Sequence, residues 1–238
     1  AKAVKGYQQS IVLDDPSGTV PGWVMVIANS FMAAQKAAKL VKVSWQAGDA
    51  ATVSEADIIS HGRALLKDNA KGAILDTGTV ETASVFAKTT DIIEHEYLTH
   101  TVLHAQMEPL NALVCQSEDG FWEIHSGCQW QSLTASVLAA ALGVPEEKII
   151  IRAYLLGGGF GRRLNGDYTV PAALASKALG GKPVKLVMTR PQDMLFDSPR
   201  SASVQQLKMA FDSAKHVVAM EHHATAGWPT EVMVPVFM

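Results

Sequence analysis

The sequence predicts an α+β protein, on three observations. Apolar residues make up 48% of 238 residues against 18% charged, enough for a sizeable core without long disorder. Short runs of two-residue periodicity mark half-buried strands, as where Val41, Val43 and Trp45 alternate with Lys42, Ser44 and Gln46. Between such runs lie alanine-rich stretches with helix signals, notably 132–142, with Gly143 as its stop and Pro145 just beyond.

Taken in order, the chain opens with a polar turn at 14–18 (DDPSG), then Pro21-Gly22 and a strand-like run at 23–28. Asn29 or Ser30 caps a helix running to about Leu40, and a strand follows at 41–45. Residues 1–46 therefore form a small α+β unit. Residues 47–88 are more polar and less periodic, a connector holding one helix near 54–67 with Ser54 as cap, and a boundary falls near Thr89. Beyond it, a strand is expected at 121–125 after the turn Glu118-Asp119-Gly120, then the 132–142 helix and an apolar strand at 149–156. A glycine run at 157–161 leads to a helix at 171–179, with Pro near its first turn and Gly180 past its end, and to a strand at 184–188. Strand, glycine loop, helix and strand in that order predict a crossover unit. Residues 204–224 read as two strands around a turn at 212–215.

Lys plus Arg total 20 and Asp plus Glu 23, a net charge of -3, which argues against a protein held to nucleic acid by phosphate charge. Cys115 and Cys128 are too few for a disulfide scaffold or a four-cysteine metal centre. The longest apolar stretch, 133–144, is too short to span a bilayer, and the first 20 residues lack a signal-peptide core.

The most informative segment is Leu156-Gly157-Gly158-Gly159-Phe160-Gly161-Arg162-Arg163. Glycines let backbone amides approach a ligand, and a run of amides makes a concave anion site. Adjacent arginines grip phosphate through paired donors. The ATP-type loop is excluded by the missing G-K-[ST] end, and the dinucleotide frame by Arg162 where glycine is required. A plain turn remains the competing reading of the residues.

This segment, after a strand and before a helix, resembles the molybdenum-cofactor loop of the xanthine dehydrogenase and aldehyde oxidase family. His104-Ala-Gln-Met-Glu-Pro-Leu-Asn111 resembles that family's H-x-x-M-E-P segment, and Gln129 resembles its glutamine ahead of a helix ending L-G-V-P, here 142–145. The stretch from Val20-Pro21-Gly22 to Trp45 resembles the second half of its hammerhead domain. The double arginine and MEPLNA look most like the beta subunit of isoquinoline 1-oxidoreductase and related bacterial aldehyde dehydrogenases. The resemblance implies a hammerhead remainder at 1–46 and an incomplete cofactor-binding domain with mixed sheets at 89–238, both parts of a longer subunit. It implies a molybdenum–pterin cofactor, in a dinucleotide form, held by Gln129, Gly158, Gly159, Phe160, Gly161, Arg162 and Arg163. Gln129 would bond an oxygen ligand of the metal, the amides around Phe160 and Gly161 its oxo group, and the arginines phosphate or substrate. The family oxidises aldehydes or N-heteroaromatics with water-derived oxygen, using a glutamate base expected here beyond Met238. It passes electrons to iron–sulfur centres, expected on a small partner subunit, with a cytochrome as a further acceptor and a periplasmic or membrane-associated setting. Where xanthine-oxidising members place glutamate, this chain has Leu164, which cannot hydrogen-bond a purine edge.

Two other readings compete. One is a non-catalytic anion- or nucleotide-binding module built on the glycine loop. The other is a zinc site on His100, His104 and Glu108, which would share a helix face at spacing four, although Thr101 stands where a catalytic glutamate is needed and Pro109 adjoins the last ligand. His222 and His223 point to opposite faces of a strand. Glu94-His95-Glu96 reads as a charged edge, the cysteines as buried small residues, and Arg190, Asp193 and Arg200 as a polar loop.

Overall fold

The computed structural model describes residues 1–16, 22–68, 72–75, 78 and 80–229, except for the side chain of residue 49. In chain order its elements are strands β1 (Tyr7–Leu13) and β2 (Trp23–Ala28), then helices α1 (Phe31–Ala38), α2 (Glu55–Leu65) and α3 (Thr82–Phe86). Strands β3 (Ile92–Thr99), β4 (Asn111–Gln116) and β5 (Trp122–Ser126) follow, with helix α4 (Gln131–Leu142), strand β6 (Ile149–Ala153) and helix α5 (Val170–Ala178). Strand β7 (Val184–Val187), helix α6 (Arg190–Leu195) and strands β8 (Ser203–Phe211) and β9 (Val217–Ala226) complete the described chain. The α+β expectation holds, with parallel and antiparallel pairing both present. The turn read at 14–18 and the dipeptide at 21–22 fall largely outside the described residues.

The described chain divides into two compact units, one of residues 1–46 and 103–198, the other of 47–102 and 199–229. In the first, β1 and β2 pair antiparallel, and α1 begins at Ser30, whose side chain accepts a hydrogen bond from the Ala33 amide. A four-stranded sheet runs β6-β5-β4-β7. Helices α4 and α5 pack against it through Val114, Ile124, Leu138, Ala141, Val170 and Ala172, all without solvent exposure. Alanines on both helices let their backbones approach closely. Helix α4 stops at Gly143, whose left-handed φ of 68° a side chain would strain.

The expected crossover is present, and a second one precedes it in the chain. Strands β6 and β7 run parallel and are joined through α5, with β5 and β4 between them in the sheet, while β5 and β6 are parallel neighbours joined through α4. Because β5 and β6 run the same way, both end on one side. There β5 gives way to Gly127-Cys128-Gln129 and β6 to the glycine run. The ends of neighbouring parallel strands are where sheets of this kind place ligands.

In the second unit, β3-β8-β9 form an antiparallel sheet. Helix α2 starts in a capping box between Ser54 and Asp57, and its Gly62 lies against Val204 of β8. Residues 47–88 are therefore not a connector. They supply the helices for a sheet whose strands β8 and β9 arrive more than a hundred residues later, and the expected 89–238 domain divides at 102/103 and 198/199.

Two expected strands shrink. Residues 41–45 form none, with Val43 39% and Trp45 75% exposed, because five alternating residues cannot hold a ladder without a partner. The 149–156 strand ends at Ala153, before the glycine run. Among the described residues no helix is long and apolar enough to cross a membrane.

Leu138→Ala, in the centre of the first core, is expected to cost about 2–5 kcal/mol of stability. Leu155→Ala, at a fully exposed position, is expected to change it by less than about 0.5 kcal/mol. Chemical denaturation of the two variants checks the contrast.

Candidate functional site

The glycine run folds back on itself. Gly158, Phe160 and Gly161 have φ of 96°, 54° and 105°, all left-handed. A phenylalanine is strained there, and its side chain is 61% exposed. The amide of Arg162 donates to Gly159 O at 2.8 Å and that of Leu164 to Gly161 O at 3.2 Å, closing successive turns.

Gln129 sits directly on this loop. Its Oε1 accepts from the Gly161 amide at 3.0 Å and the Arg163 amide at 3.2 Å, while its own amide donates to Arg163 O at 2.9 Å. Two N–H donors facing one side fix which end of the carboxamide is oxygen. The NH2 end is turned the other way and has no hydrogen-bond partner among the described residues. A Cβ on residue 159 would collide with this carboxamide, so glycine is required there. The Gly161 amide, expected to face a metal oxo group, is instead spent on Gln129.

Glu108 fastens the preceding segment to the same loop. Its Oε2 accepts from the Gly157 amide at 3.0 Å and from Arg163 Nη2 at 3.0 Å, and its Oε1 from Asn111 Nδ2 at 3.1 Å. The Glu108 amide donates to Gly157 O at 3.1 Å. A Cβ on Gly157 would lie 2.5 Å from Glu108 Cβ, so only glycine admits this approach. Burial pushes the Glu108 carboxyl up, but the Gly157 amide, Asn111 and Arg163 together outweigh it and hold the group below its ordinary range.

Arg162 and Arg163, expected to face phosphate or substrate, are both completely buried. Arg163 donates through Nη1 to Gly127 O at 3.2 Å and through Nη2 to Glu108 O at 2.9 Å, and lies over the Tyr168 ring at 5.8 Å. Tyr168 donates its hydroxyl to Gly127 O at 2.7 Å, and burial pushes its pKa up to about 12. Arg162 donates to Asp167 Oδ1 at 2.7 Å and Phe196 O at 2.9 Å, and its Nε lies 3.2 Å from Asp197 Oδ1, close enough to pair though not aligned as a hydrogen bond. Burial raises the Asp167 carboxyl, more than Arg162 lowers it. Guanidinium groups committed to buried carboxylates and carbonyls cannot also grip an external phosphate.

Sequence reasoning thus located Gln129, Glu108 and the loop, and the structure brings them together. It missed Tyr168 and Asp167, which follow the loop in NGDY, and Asp197, for which no local signal exists. The zinc reading loses its premise, since 103–110 is not helical. His100 pairs with Glu55 at 3.1 Å, His104 with Asp197 at 2.8 Å, and no metal-binding cluster occurs among the described residues. Elsewhere, Glu96 pairs with Arg63 and Glu94 with Lys208, as a charged edge would. Both cysteines are free, Cys128 buried and Cys115 half-buried. Arg190 and Asp193 do not form a loop. They lie on α6, where buried Asp193 accepts from Gln106 Nε2 at 2.7 Å.

With this geometry in place, the relationships of the chain become clear. Residues 66–232 match the model of the molybdopterin cofactor-binding domain, and the chain belongs to that family, in its xanthine dehydrogenase and aldehyde oxidase branch. It is 53% identical over 239 residues to the membrane-bound aldehyde dehydrogenase [pyrroloquinoline-quinone] of Gluconacetobacter polyoxogenes, covering all of this chain and 30% of that protein. It is 28% identical over 215 residues to isoquinoline 1-oxidoreductase subunit beta of Brevundimonas diminuta, covering 87% of this chain and 27% of that one. The aldehyde oxidoreductase of Desulfovibrio gigas shares the fold with a TM-score of 0.69 at 21% identity, over 92% of this chain and 28% of that one. The chain thus spans less than a third of the length of these relatives.

Gly159→Ala is expected to break both amide bonds to Gln129 and lower the thermal midpoint, whereas Gly48→Ala, which meets nothing, is expected to leave it nearly unchanged. Glu108 contributes stability that is present above its ordinary value, about 4.3, and lost as pH falls through the depressed one. Glu108→Gln is therefore expected to be less stable than the parent at neutral pH and to converge on it in strong acid. Thermal midpoints across pH check both.

Proposed function

We propose that the chain is part of the large subunit of a molybdenum hydroxylase, and that Gln129 with residues 157–161 forms one wall of its molybdenum–pterin pocket. The observation that carries this is the Gln129 carboxamide, locked by the Gly161 and Arg163 amides so that its NH2 donor stays unpaired beside the loop. The residues fit such a group in part. Gln129 and the backbone of 158–161 would hold it, while Arg162 and Arg163 act from beneath, as supports of the loop.

When bound, the cofactor supplies the redox chemistry, and the protein orients it. Gln129 Nε2 offers a donor, fixed before any ligand arrives, to an oxygen acceptor at the loop. The glycines bring the backbone close. Leu164 offers no hydrogen bond to a purine, which favours aldehydes or N-heteroaromatics as substrates. The names of the Gluconacetobacter and Brevundimonas relatives point the same way. On this reading residues 1–46 are a hammerhead remainder, and the catalytic base lies in another part of the subunit. A dinucleotide form of the pterin, a small iron–sulfur subunit, a cytochrome acceptor and a periplasmic or membrane-associated setting complete it.

The passive anion-cradle reading is weakened by the burial of Arg162 and Arg163, which leaves the loop without a cationic side chain to meet an anion. The quinone in the name of the Gluconacetobacter relative is the other competitor. Metal and cofactor analysis of the full-length natural protein decides between them. Stoichiometric molybdenum with a pterin is expected. Stoichiometric quinone without molybdenum would overturn the proposal.

A further inference from the structure

We propose that His104 is a contact residue of this same pocket, aimed at the Gly161 side of the loop by Asp197; the inference rests on the reading of the loop as a cofactor wall. The Asp197 carboxylate holds residue 104 at two points. Its Oδ2 accepts from the His104 amide at 2.6 Å, and its Oδ1 lies 2.8 Å from His104 Nδ1. The next residue, Ala105, takes a left-handed φ of 47°, so the chain turns away at once and leaves the imidazole behind. The side chain is 6% exposed.

The other ring nitrogen is the informative one. His104 Nε2 is the nearest atom to the point beside Gly161 where a side chain would begin, at 3.4 Å, with Leu164 Cδ1 at 4.0 Å. It has no hydrogen-bond partner among the described residues. An imidazole more than nine-tenths buried, satisfied at one nitrogen and unpaired at the other, carries a polar group that folding alone leaves unused. A carboxylate on Nδ1 fixes the ring orientation and tautomer, which is how such pairs present Nε2 to a ligand. The charged groups around the ring are Asp197, Arg162 through its 3.2 Å approach to Asp197, and Asp167 through Arg162. His104 Nε2 and Gln129 Oε1 thus both lie against Gly161, one carried by the segment before β4 and one by the segment after β5.

A purely structural role would need only the bond to Asp197. Asparagine reproduces a donor at the Nδ1 position and lacks Nε2, whereas glutamine places an amide near Nε2. In the full-length holoenzyme, His104→Asn and His104→Gln are compared with the parent for molybdenum and pterin content, thermal midpoint, the midpoint potential of the molybdenum, and turnover of an aldehyde. The expected result is a shifted potential and a turnover about tenfold or more lower in His104→Asn, at unchanged thermal midpoint, with His104→Gln closer to the parent in both. Parental potential and turnover in His104→Asn would overturn the inference, as would equal losses in both variants accompanied by a lower thermal midpoint. A parent protein without molybdenum would overturn the cofactor reading itself and this inference with it.

Discussion

The arrangement depends on one buried cation. Arg163 emerges from the glycine loop and turns inward, where it reaches Gly127 O, Glu108 O and Glu108 Oε2 from a single guanidinium. Those acceptors belong to the segment before β4 and the segment after β5, and the arginine itself follows β6. A fully buried guanidinium is costly unless its donors are paired, so the three segments must arrive together or not at all. The planar fork makes this a matter of direction as well as charge, which a lysine could not reproduce.

Once that node is formed, the outer surface of the loop follows. The Arg163 and Gly161 amides meet Gln129, Gly157 meets Glu108, and the backbone is driven into left-handed conformations at 158, 160 and 161. The strain at Phe160 is of the kind that persists where surrounding contacts over-determine the backbone, and such places are commonly functional. Arg162 does the same work on the other side, tying the loop to Asp167, Asp197 and Phe196 O. The loop is a preorganised surface supported from below, with its polar contacts set before a ligand is bound.

Much of the local structure was legible because its causes are local. The C-terminal end of α4 follows from Gly143 and Pro145, α1 begins where Ser30 can cap it, and β2 is an apolar run after a turn signal. What was illegible depends on distant partners. Strand β3 carries Glu94, His95 and Glu96 and gains its identity only from pairing with β8, more than a hundred residues away. The 41–45 alternation had the pattern of a strand but no partner. Helix α2 could be placed but not assigned, because the sheet it covers lies at the far end of the chain.

The sequence by itself determined the composition of the loop, the glutamine and glutamate that meet it, and the family to which the chain belongs, since these are properties of ordered short motifs. Tertiary structure alone decided the direction of the arginines. Their adjacency to a glycine run implies an outward grip on an anion, yet buried carboxylates and carbonyls from elsewhere in the fold offer a better-paired site within. No property of residues 162 and 163 themselves announces Asp167, Asp197 and Glu108 as their partners, because an ion pair is chosen by proximity in space, and proximity is what folding creates.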